Sequence, residues 1–178
     1  EDDRKRVNAF DWGTEFSQTM NEGGFDAVIG NPPYIRIQHM KEWAPLEVEF
    51  IKETYETTQK GNIDIYIAFV EKGLSLLKED GRLGYILPHK FFTANYGAAL
   101  CDLIARGHRL SKLIHFGHQQ VFSGATTYTC LLFLTDAPQT TYELTKVDDI
   151  SAWISVDEYE QYEIIGPLEG EHPWSFVI

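Results

Sequence analysis

Short apolar runs alternate with amphipathic helical segments over residues 1–136, and this alternation constrains the fold more than any other feature. Four runs have the length and the β-branched or aromatic content of strands: FDAVIG (25–30), RLGYILP (82–88), KLIHFG (112–117) and TTYTCLLFLT (126–135). FDAVIG is a short apolar run bounded by glycines, which predicts a buried strand of a parallel sheet. Helices are predicted over 62–78 and 93–107, where apolar residues recur at helical spacing. This order of strands and helices predicts a layered α/β domain with a largely parallel sheet.

The last two predicted strands depart from a purely parallel arrangement. About ten residues without a helical pattern join the runs 112–117 and 126–135, which is short for a parallel crossover. We therefore expect these two strands to be antiparallel. After Asp136 the chain becomes polar and holds only short strand-like pieces. The sequence predicts one α/β domain over 1–136, followed by a linker and the start of a second region over 137–178.

The charge and the cysteine content argue against several classes of protein. The net charge of −12 is unlike that of a broad nucleic-acid surface, which is usually basic. Cys101 and Cys130 have apolar flanks typical of a core helix and a core strand, which indicates buried, reduced cysteines. The histidines lack metal-ligand spacing, and no apolar run is long enough to span a bilayer. We expect a cytoplasmic protein without a metal site or a membrane anchor.

The string Asn-Pro-Pro-Tyr (31–34) follows the first apolar run directly. Two consecutive prolines can neither continue a helix nor donate amide hydrogen bonds to a sheet. In open α/β sheets, ligands bind just past the carboxyl ends of the strands. The string therefore predicts a stiff loop that presents one amide side chain and one aromatic ring at the ligand-binding edge. A rigid loop without function is the alternative interpretation of the prolines taken alone.

Three blocks of sequence, taken together, resemble one enzyme family. They are FDAVIGNPPYIR, GNIDIYIAFVEKGLSLLKEDGRLGYILPHKFF and VFSGATTYTCLLFL. Over residues 7–135 their order and spacing are similar to those of adenine-specific, gamma-type DNA methyltransferases, above all those of type II-G restriction-modification enzymes. The resemblance implies a Rossmann-like fold that uses S-adenosylmethionine. It also implies that residues 1–136 are the C-terminal portion of the catalytic domain.

The resemblance assigns the catalytic roles to residues 31–34. The exocyclic amine of adenine is a poor nucleophile, because its lone pair is delocalised into the ring. By the family likeness, the Asn31 side-chain oxygen and the Pro32 carbonyl accept its two N–H groups and stabilise the charge that develops during transfer. Pro32 and Pro33 fix the backbone, and no strong base is required. The ring of Tyr34 stacks on the flipped base, and Phe122 matches the family position of a second ring at that base.

The cofactor site implied by the resemblance is incomplete in this sequence. The Gly-rich loop and the acidic residue that usually bind S-adenosylmethionine have no counterpart here. Matching the family on Trp12 places Asn8, or Asp11, where an acidic residue contacts the cofactor adenine, and Pro33 is a candidate for the same side. We expect this chain alone to bind the cofactor weakly and to lack activity, with most of the cofactor site in an upstream half of a longer protein.

Two further expectations concern DNA. Arg36 and Lys41 follow the motif closely and are candidates for phosphate contacts, although ordinary surface polarity would explain them equally well. A target-recognition domain is expected to follow residue 137.

Three different functions compete with adenine methylation. A protein glutamine methyltransferase shares the Asn-Pro-Pro-Tyr motif, because a side-chain amide poses the same lone-pair problem. A restriction or phage-defence protein could use this segment as a non-catalytic scaffold. A cytosine amino-methyltransferase would carry out the same chemistry on a different base.

Overall fold

The chain builds one six-stranded sheet in the order β1-β2-β4-β3-β5-β6. The computed structural model describes residues 10–122, 127–155, 162–165, 172–174 and 176. The strands are β1 (Phe25–Gly30), β2 (Leu77–Pro88), β3 (Leu110–His115), β4 (Thr129–Thr135), β5 (Thr141–Lys146) and β6 (Tyr162–Ile165). The helices are α1 (Trp12–Glu15), α2 (Ser17–Asn21), α3 (Ile37–Met40), α4 (Pro45–Thr54), α5 (Tyr66–Ser75), α6 (Ala98–Arg106) and α7 (Ile150–Ser155). The predicted α/β class is confirmed.

Strands β1 and β2 are parallel, with Gly30 opposite Tyr85. The register shifts between Phe25, which pairs with Leu77, and Ala27, which pairs with Arg82. Residues 78–81 therefore form an irregularity inside β2, at the junction between the predicted helix 62–78 and the predicted strand 82–88. Asp80 adopts a φ of 62°, which fits this local distortion. The strand is longer than predicted because the chain pairs with β1 immediately after α5.

Strand β4 lies between β2 and β3 and is antiparallel to both. The expected antiparallel pair at the end of the pattern is therefore confirmed. The pairing brings Pro88, at the end of β2, opposite Thr129 at the start of β4. It also brings His115, at the end of β3, opposite Cys130. The carboxyl ends of β1, β2 and β3 consequently lie along one edge of the sheet.

Helices α5 and α6 cover one face of this sheet and enclose the main core. Tyr66, Leu87 and Leu132 are fully buried there. Helix α5 is shorter than the predicted segment: it begins after Ile65, without a side-chain cap, and ends before β2. Two short 3₁₀ turns, His89–Phe92 and Asn95–Gly97, occupy the first part of the predicted helix 93–107 and its approach.

The two cysteines belong to this core. Cys101 on α6 and Cys130 on β4 are both free and buried, as the sequence predicted. Burial raises the pKa of Cys101 to about 12 and also raises the pKa of Cys130. Both thiols therefore remain protonated at neutral pH, so neither is a reactive nucleophile.

The opposite face of the sheet is only partly covered. Helix α7 packs on a small cluster in which Phe116 and Val147 are buried and Trp153 contacts Phe116. Toward β1 this face is open: Ile29 is 86% exposed, and a shallow cavity of about 690 Å³ lies over β1, β2 and β4. The expectation that the strand at 25–30 is buried is wrong for this face, because none of the described residues packs over Ile29.

The sheet continues beyond the predicted domain boundary. Strand β5 pairs in parallel with β3, and β6 pairs with β5 in the antiparallel direction. The boundary near residue 137 falls in the connection between β4 and β5 and remains a prediction, although it is not an end of the sheet. Within the described ranges, no helix is both long enough and apolar enough to cross a membrane.

The asymmetry of the two faces can be tested by paired truncations in this 178-residue chain. Leu132→Ala is expected to lower the free energy of unfolding by about 2–5 kcal/mol, because it leaves a cavity in the closed core. Ile29→Ala is expected to cost less than about 1 kcal/mol, because the side chain is already in water. Urea titration measures both values, and equal losses would contradict the assignment of the open face.

Candidate functional site

The Asn-Pro-Pro-Tyr loop lies at the carboxyl edge of the sheet, as predicted from its position after β1. Gly30 ends β1 beside the ring of Tyr85, and a Cβ at this position would lie 3.0 Å from Tyr85 Cε1. The strand thus ends in a residue that lets the backbone pass close to the neighbouring ring. Pro32 is buried and Pro33 is exposed. The loop is therefore anchored on one side and open on the other.

The side chain of Asn31 is exposed and is oriented by Tyr34. The Tyr34 hydroxyl lies 2.8 Å from Asn31 Oδ1 and 3.1 Å from the carbonyl oxygen of Ile86 on β2. The hydroxyl has one proton to donate, so these two oxygens share it. A carbonyl oxygen can accept two hydrogen bonds, which leaves Asn31 Oδ1 free to accept one from a ligand. The motif thus presents an exposed acceptor in a fixed place.

The environment of Tyr34 keeps its hydroxyl a donor. Burial, with a smaller contribution from Cys130, raises the pKa of Tyr34 to about 12. The ring lies edge-to-face against Tyr66, with centroids 6.2 Å apart. Tyr34 is only half-buried, so part of the residue is accessible at the edge of the sheet. The sequence predicted a stacking ring here but did not predict the hydrogen bond to Asn31.

The segment after the motif is tied to the loop that precedes α5. The amide of Ile37 donates to the Ile63 carbonyl, and the amide of Ile65 donates to the Ile35 carbonyl, both at 2.9 Å. This short bridge places Arg36 opposite Asp64. Burial raises the pKa of Asp64, and the charge of Arg36 acts in the opposite direction. The bridge was not predicted from the sequence, since one isolated pair leaves no strand-length pattern.

The connection from β3 to β4 leaves the same edge and carries Phe122. This side chain is 36% exposed, and residues 123–126 lie outside the described part of the chain. His118 and Tyr128, near the two ends of the connection, are in ring contact at 5.2 Å. The amide of His89 donates to the Tyr128 carbonyl at 3.2 Å. Phe122 and Asn31 therefore lie on two connections that leave the same edge of the sheet.

A pair of histidine rings lies behind this connection. The centroids of His89 and His115 are 4.5 Å apart. Burial lowers the pKa of both residues, and for His115 nearby His89, His118 and Lys146 add to the effect, giving a pKa of about 4. His115 Nδ1 accepts the amide of Gly117 at 2.9 Å. The pair is therefore neutral at physiological pH. Its ring packing was not predicted from sequence.

The other predicted site residues lie on the surface or outside the described residues. Asn8 is outside them. Asp11 is exposed and caps α1, where its Oδ1 accepts the amides of Gly13 and Thr14 at 3.0 and 3.3 Å. Arg36 and Lys41 are exposed. In the described ranges, no group of three or more His, Cys, Asp or Glu residues is arranged to hold a metal ion.

A comparison with protein families decides which family this site belongs to. The sequence profile of the Eco57I restriction-modification methylase family matches residues 1–122. The chain belongs to this family. The match includes the Asn-Pro-Pro-Tyr loop, the bridge to α5 and Phe122. The resemblance to restriction-modification methyltransferases drawn from the three sequence blocks is thereby confirmed.

Relatives of this Eco57I-family chain support the assignment. The chain is similar to the type II restriction enzyme and methyltransferase RM.Eco57I of Escherichia coli, with 40% identity over 134 residues. This match covers 75% of the chain but only 13% of the relative. The Eco57I-family chain therefore corresponds to a small part of a much longer protein.

Solved structures show the same fold. A protein from Listeria monocytogenes described as a class I S-adenosylmethionine-dependent methyltransferase superposes with a TM-score of 0.56 at 19% identity, over 75% of the chain and 41% of that protein. The type IIL restriction-modification enzyme MmeI, solved in complex with DNA, superposes with a TM-score of 0.58 at 12% identity, over 88% of the chain and 20% of that protein. The Rossmann-like methyltransferase architecture predicted from sequence is confirmed.

The buried His115 gives this Eco57I-family chain a testable acid sensitivity. The pKa of His115 in the folded chain, about 4, lies below the unfolded value of 6.5, so the unfolded state takes up the proton first as the pH falls. Folding stability is therefore expected to fall between pH 6.5 and pH 4. In His115→Phe this fall should be less steep, whatever the variant's stability at neutral pH. Urea unfolding at a series of pH values measures both slopes, and identical slopes would contradict the prediction.

Proposed function

We propose that the full-length protein containing this chain transfers a methyl group from S-adenosylmethionine to the exocyclic N6 amine of an adenine flipped out of DNA. The proposal rests above all on the exposed Asn31 amide, which Tyr34 orients at the carboxyl edge of a methylase-family sheet. Relatives that carry this domain are restriction-modification enzymes. We place the parent protein in that role, as a cytoplasmic restriction-modification or phage-defence enzyme.

The loop activates the amine through two hydrogen bonds, which draw the two amine hydrogens out of the plane of the base. Asn31 Oδ1 and the Pro32 carbonyl each accept one N–H, so that the nitrogen lone pair is freed from the ring. The cofactor supplies an electrophilic methyl group on a sulfonium centre. The same two oxygens stabilise the positive charge that the nitrogen acquires, and the excess proton then leaves to water. Pro32 and Pro33 hold the backbone in place, so little reorganisation is needed at the moment of transfer.

The aromatic side chains compensate for the stacking that the flipped base loses. Extruding a base from a duplex costs a few kcal/mol. Stacking on a protein ring returns roughly 1–3 kcal/mol per base. Tyr34, half-buried at the edge, offers one ring, and Phe122 offers a second from the connection between β3 and β4. We assign both rings to the target base.

An upstream part of the parent chain supplies most of the cofactor site. The open face around Ile29 and the outer edge of β1, which pairs with no described residue, give this part a place to pack. Asn8, Asp11 and Pro33 would contribute to the cofactor side from this chain. The 178-residue chain alone is therefore expected to bind the cofactor weakly and to lack methylation activity.

DNA contacts from this chain are confined to local basic residues, because the net charge is −12. Arg36 and Lys41 are exposed and lie two and seven residues after the motif. We assign both to phosphates of the DNA near the target base. Sequence recognition is assigned to a domain that follows residue 137.

The catalytic role of Asn31 is tested in the full-length protein. Asn31→Ala is expected to lower the single-turnover methylation rate by at least 100-fold, because it removes a preorganised acceptor for the reacting amine. Asn21→Ala is the matched control and should leave the rate unchanged, because Asn21 is exposed and precedes β1, at the opposite edge of the sheet. Unchanged methylation by Asn31→Ala would favour the scaffold interpretation.

The substrate is identified in the same assay by supplying radiolabelled cofactor with DNA duplexes or peptides. Label on N6 of adenine in the duplex supports the proposal. Label on a glutamine side chain in a peptide would instead identify a protein methyltransferase. Label on N4 of cytosine would keep the reaction class but change the base.

The phosphate contacts predict the salt dependence of DNA binding. Each phosphate contact contributes a slope of about 0.9 to the decrease of log K with log salt concentration. Replacing both Arg36 and Lys41 with Gln is therefore expected to reduce the slope by about 2. Lys72→Gln on α5 should leave it unchanged. Fluorescence anisotropy over a salt series measures these slopes, and an unaltered slope in the double variant would make both side chains ordinary surface residues.

A further inference from the structure

The side chain of Gln119 links the connection that carries Phe122 to the chain beyond β5. Its Nε2 donates to the Val147 carbonyl at 2.5 Å, and its Oε1 accepts the amide of Ile150 at 2.9 Å. The side-chain amide thus donates to a backbone carbonyl through its nitrogen and accepts from a backbone N–H through its oxygen. This pairing fixes the orientation of the amide, because a flipped amide would face donor with donor and acceptor with acceptor.

The segment that is hydrogen-bonded to Gln119, residues 147–150, makes further contacts with β3 and its connection. The amide of Val147 donates to the His115 carbonyl at 3.0 Å, and Val147 is buried. Ile150 begins α7, whose Trp153 packs edge-to-face on Phe116 at 5.6 Å. Residues 147–153 are therefore packed against the end of β3, beside the start of the connection.

The far end of the same connection is fixed by different contacts. Tyr128 receives a backbone hydrogen bond from His89 and a ring contact from His118. The connection is thus held just before Phe122 by Gln119 and again at Tyr128. Only two residues separate Gln119 from Phe122, so the backbone position at Gln119 bears directly on where Phe122 is placed.

We propose that Gln119 is a positioning residue for methyl transfer, which acts by holding the Phe122 ring over the flipped target base. This inference rests on the proposed function and extends it to a residue that touches neither base nor cofactor. Gln119 also links this edge of the sheet to residues 147–153, so the position of Phe122 depends on the chain that leads toward the C-terminal region. Without the two hydrogen bonds, the residues before Phe122 gain conformational freedom, and the ring must be ordered at each turnover.

The test uses the full-length protein with Gln119→Leu, which keeps the approximate size of the side chain and removes both hydrogen bonds. Gln139→Leu is the matched control, because Gln139 is also half-buried and donates to one backbone carbonyl, that of Ala137, away from Phe122. Single-turnover methylation is measured with saturating duplex and normalised to the folded fraction from thermal melts. Gln119→Leu is expected to slow methylation roughly 10-fold, and the control less than 2-fold.

A double-mutant cycle with Phe122→Ala separates positioning from general stability. If Gln119 acts through Phe122, adding Gln119→Leu to Phe122→Ala lowers the rate by less than about 2-fold further. A full 10-fold loss in both backgrounds would overturn the inference, as would an unchanged rate in the single variant. A second variant, Gln119→Glu, keeps an acceptor for Ile150 but sets a carboxylate oxygen against the Val147 carbonyl. It is expected to lose at least as much activity as Gln119→Leu, and a wild-type rate in this variant would contradict the inference.

A second measurement monitors the target base itself rather than the rate of methyl transfer. With 2-aminopurine at the target position, fluorescence rises when the base leaves the stack. Gln119→Leu is expected to change this signal in the same direction as Phe122→Ala does, and a wild-type signal in Gln119→Leu would overturn the inference. If Asn31→Ala and Phe122→Ala both retain full activity, the proposed function fails and the inference fails with it. If those two variants are impaired and Gln119→Leu is not, the inference alone fails.

Discussion

The site depends on one shared proton, that of the Tyr34 hydroxyl. It lies between Asn31 Oδ1 on the loop and the Ile86 carbonyl on β2, so the same group orients the amide and joins the loop to the neighbouring strand. Burial keeps the proton in place far above neutral pH. An amide held in this way has little freedom to lose when a substrate arrives, which is the condition for electrostatic preorganisation. The ring of Tyr34 packs against Tyr66 while its hydroxyl orients Asn31, so one residue makes two separate structural contacts at this edge.

Much of the architecture could be predicted from sequence because it depends on local patterns. The strand after Gly24, the antiparallel pair and the place of Asn31 follow from apolar runs, linker length and two prolines. The early start of β2 could not be predicted, because residues 78–81 pair irregularly with a distant strand. Contacts such as that between Gln119 and Ile150 span 31 residues and leave no periodic signal in the sequence. Long-range hydrogen bonds of single side chains are what sequence patterns cannot supply.

The open half of the sheet explains why one predicted strand is exposed. FDAVIG was predicted to be a buried strand, and strands of a parallel sheet are usually covered on both faces. Here α5 covers one face, while Ile29 on the other is in water. Apolar side chains exposed on a strand at the edge of a sheet are a liability for a chain that must stay dispersed. Covering Ile29 and the outer edge of β1 would remove that liability and would complete the layer order seen in α/β domains.

The insertion of β4 between β2 and β3 has a consequence for the order in which the chain acquires its shape. Neither β2 nor β3 has its inner neighbour until residues 129–135 have left the ribosome and paired with both. The loop after β1 gains its support from β2 earlier, but the connection bearing Phe122 is closed only by this last insertion. During synthesis the carboxyl edge of the sheet is therefore assembled first at the Asn-Pro-Pro-Tyr loop, and the connection that carries Phe122 is added late.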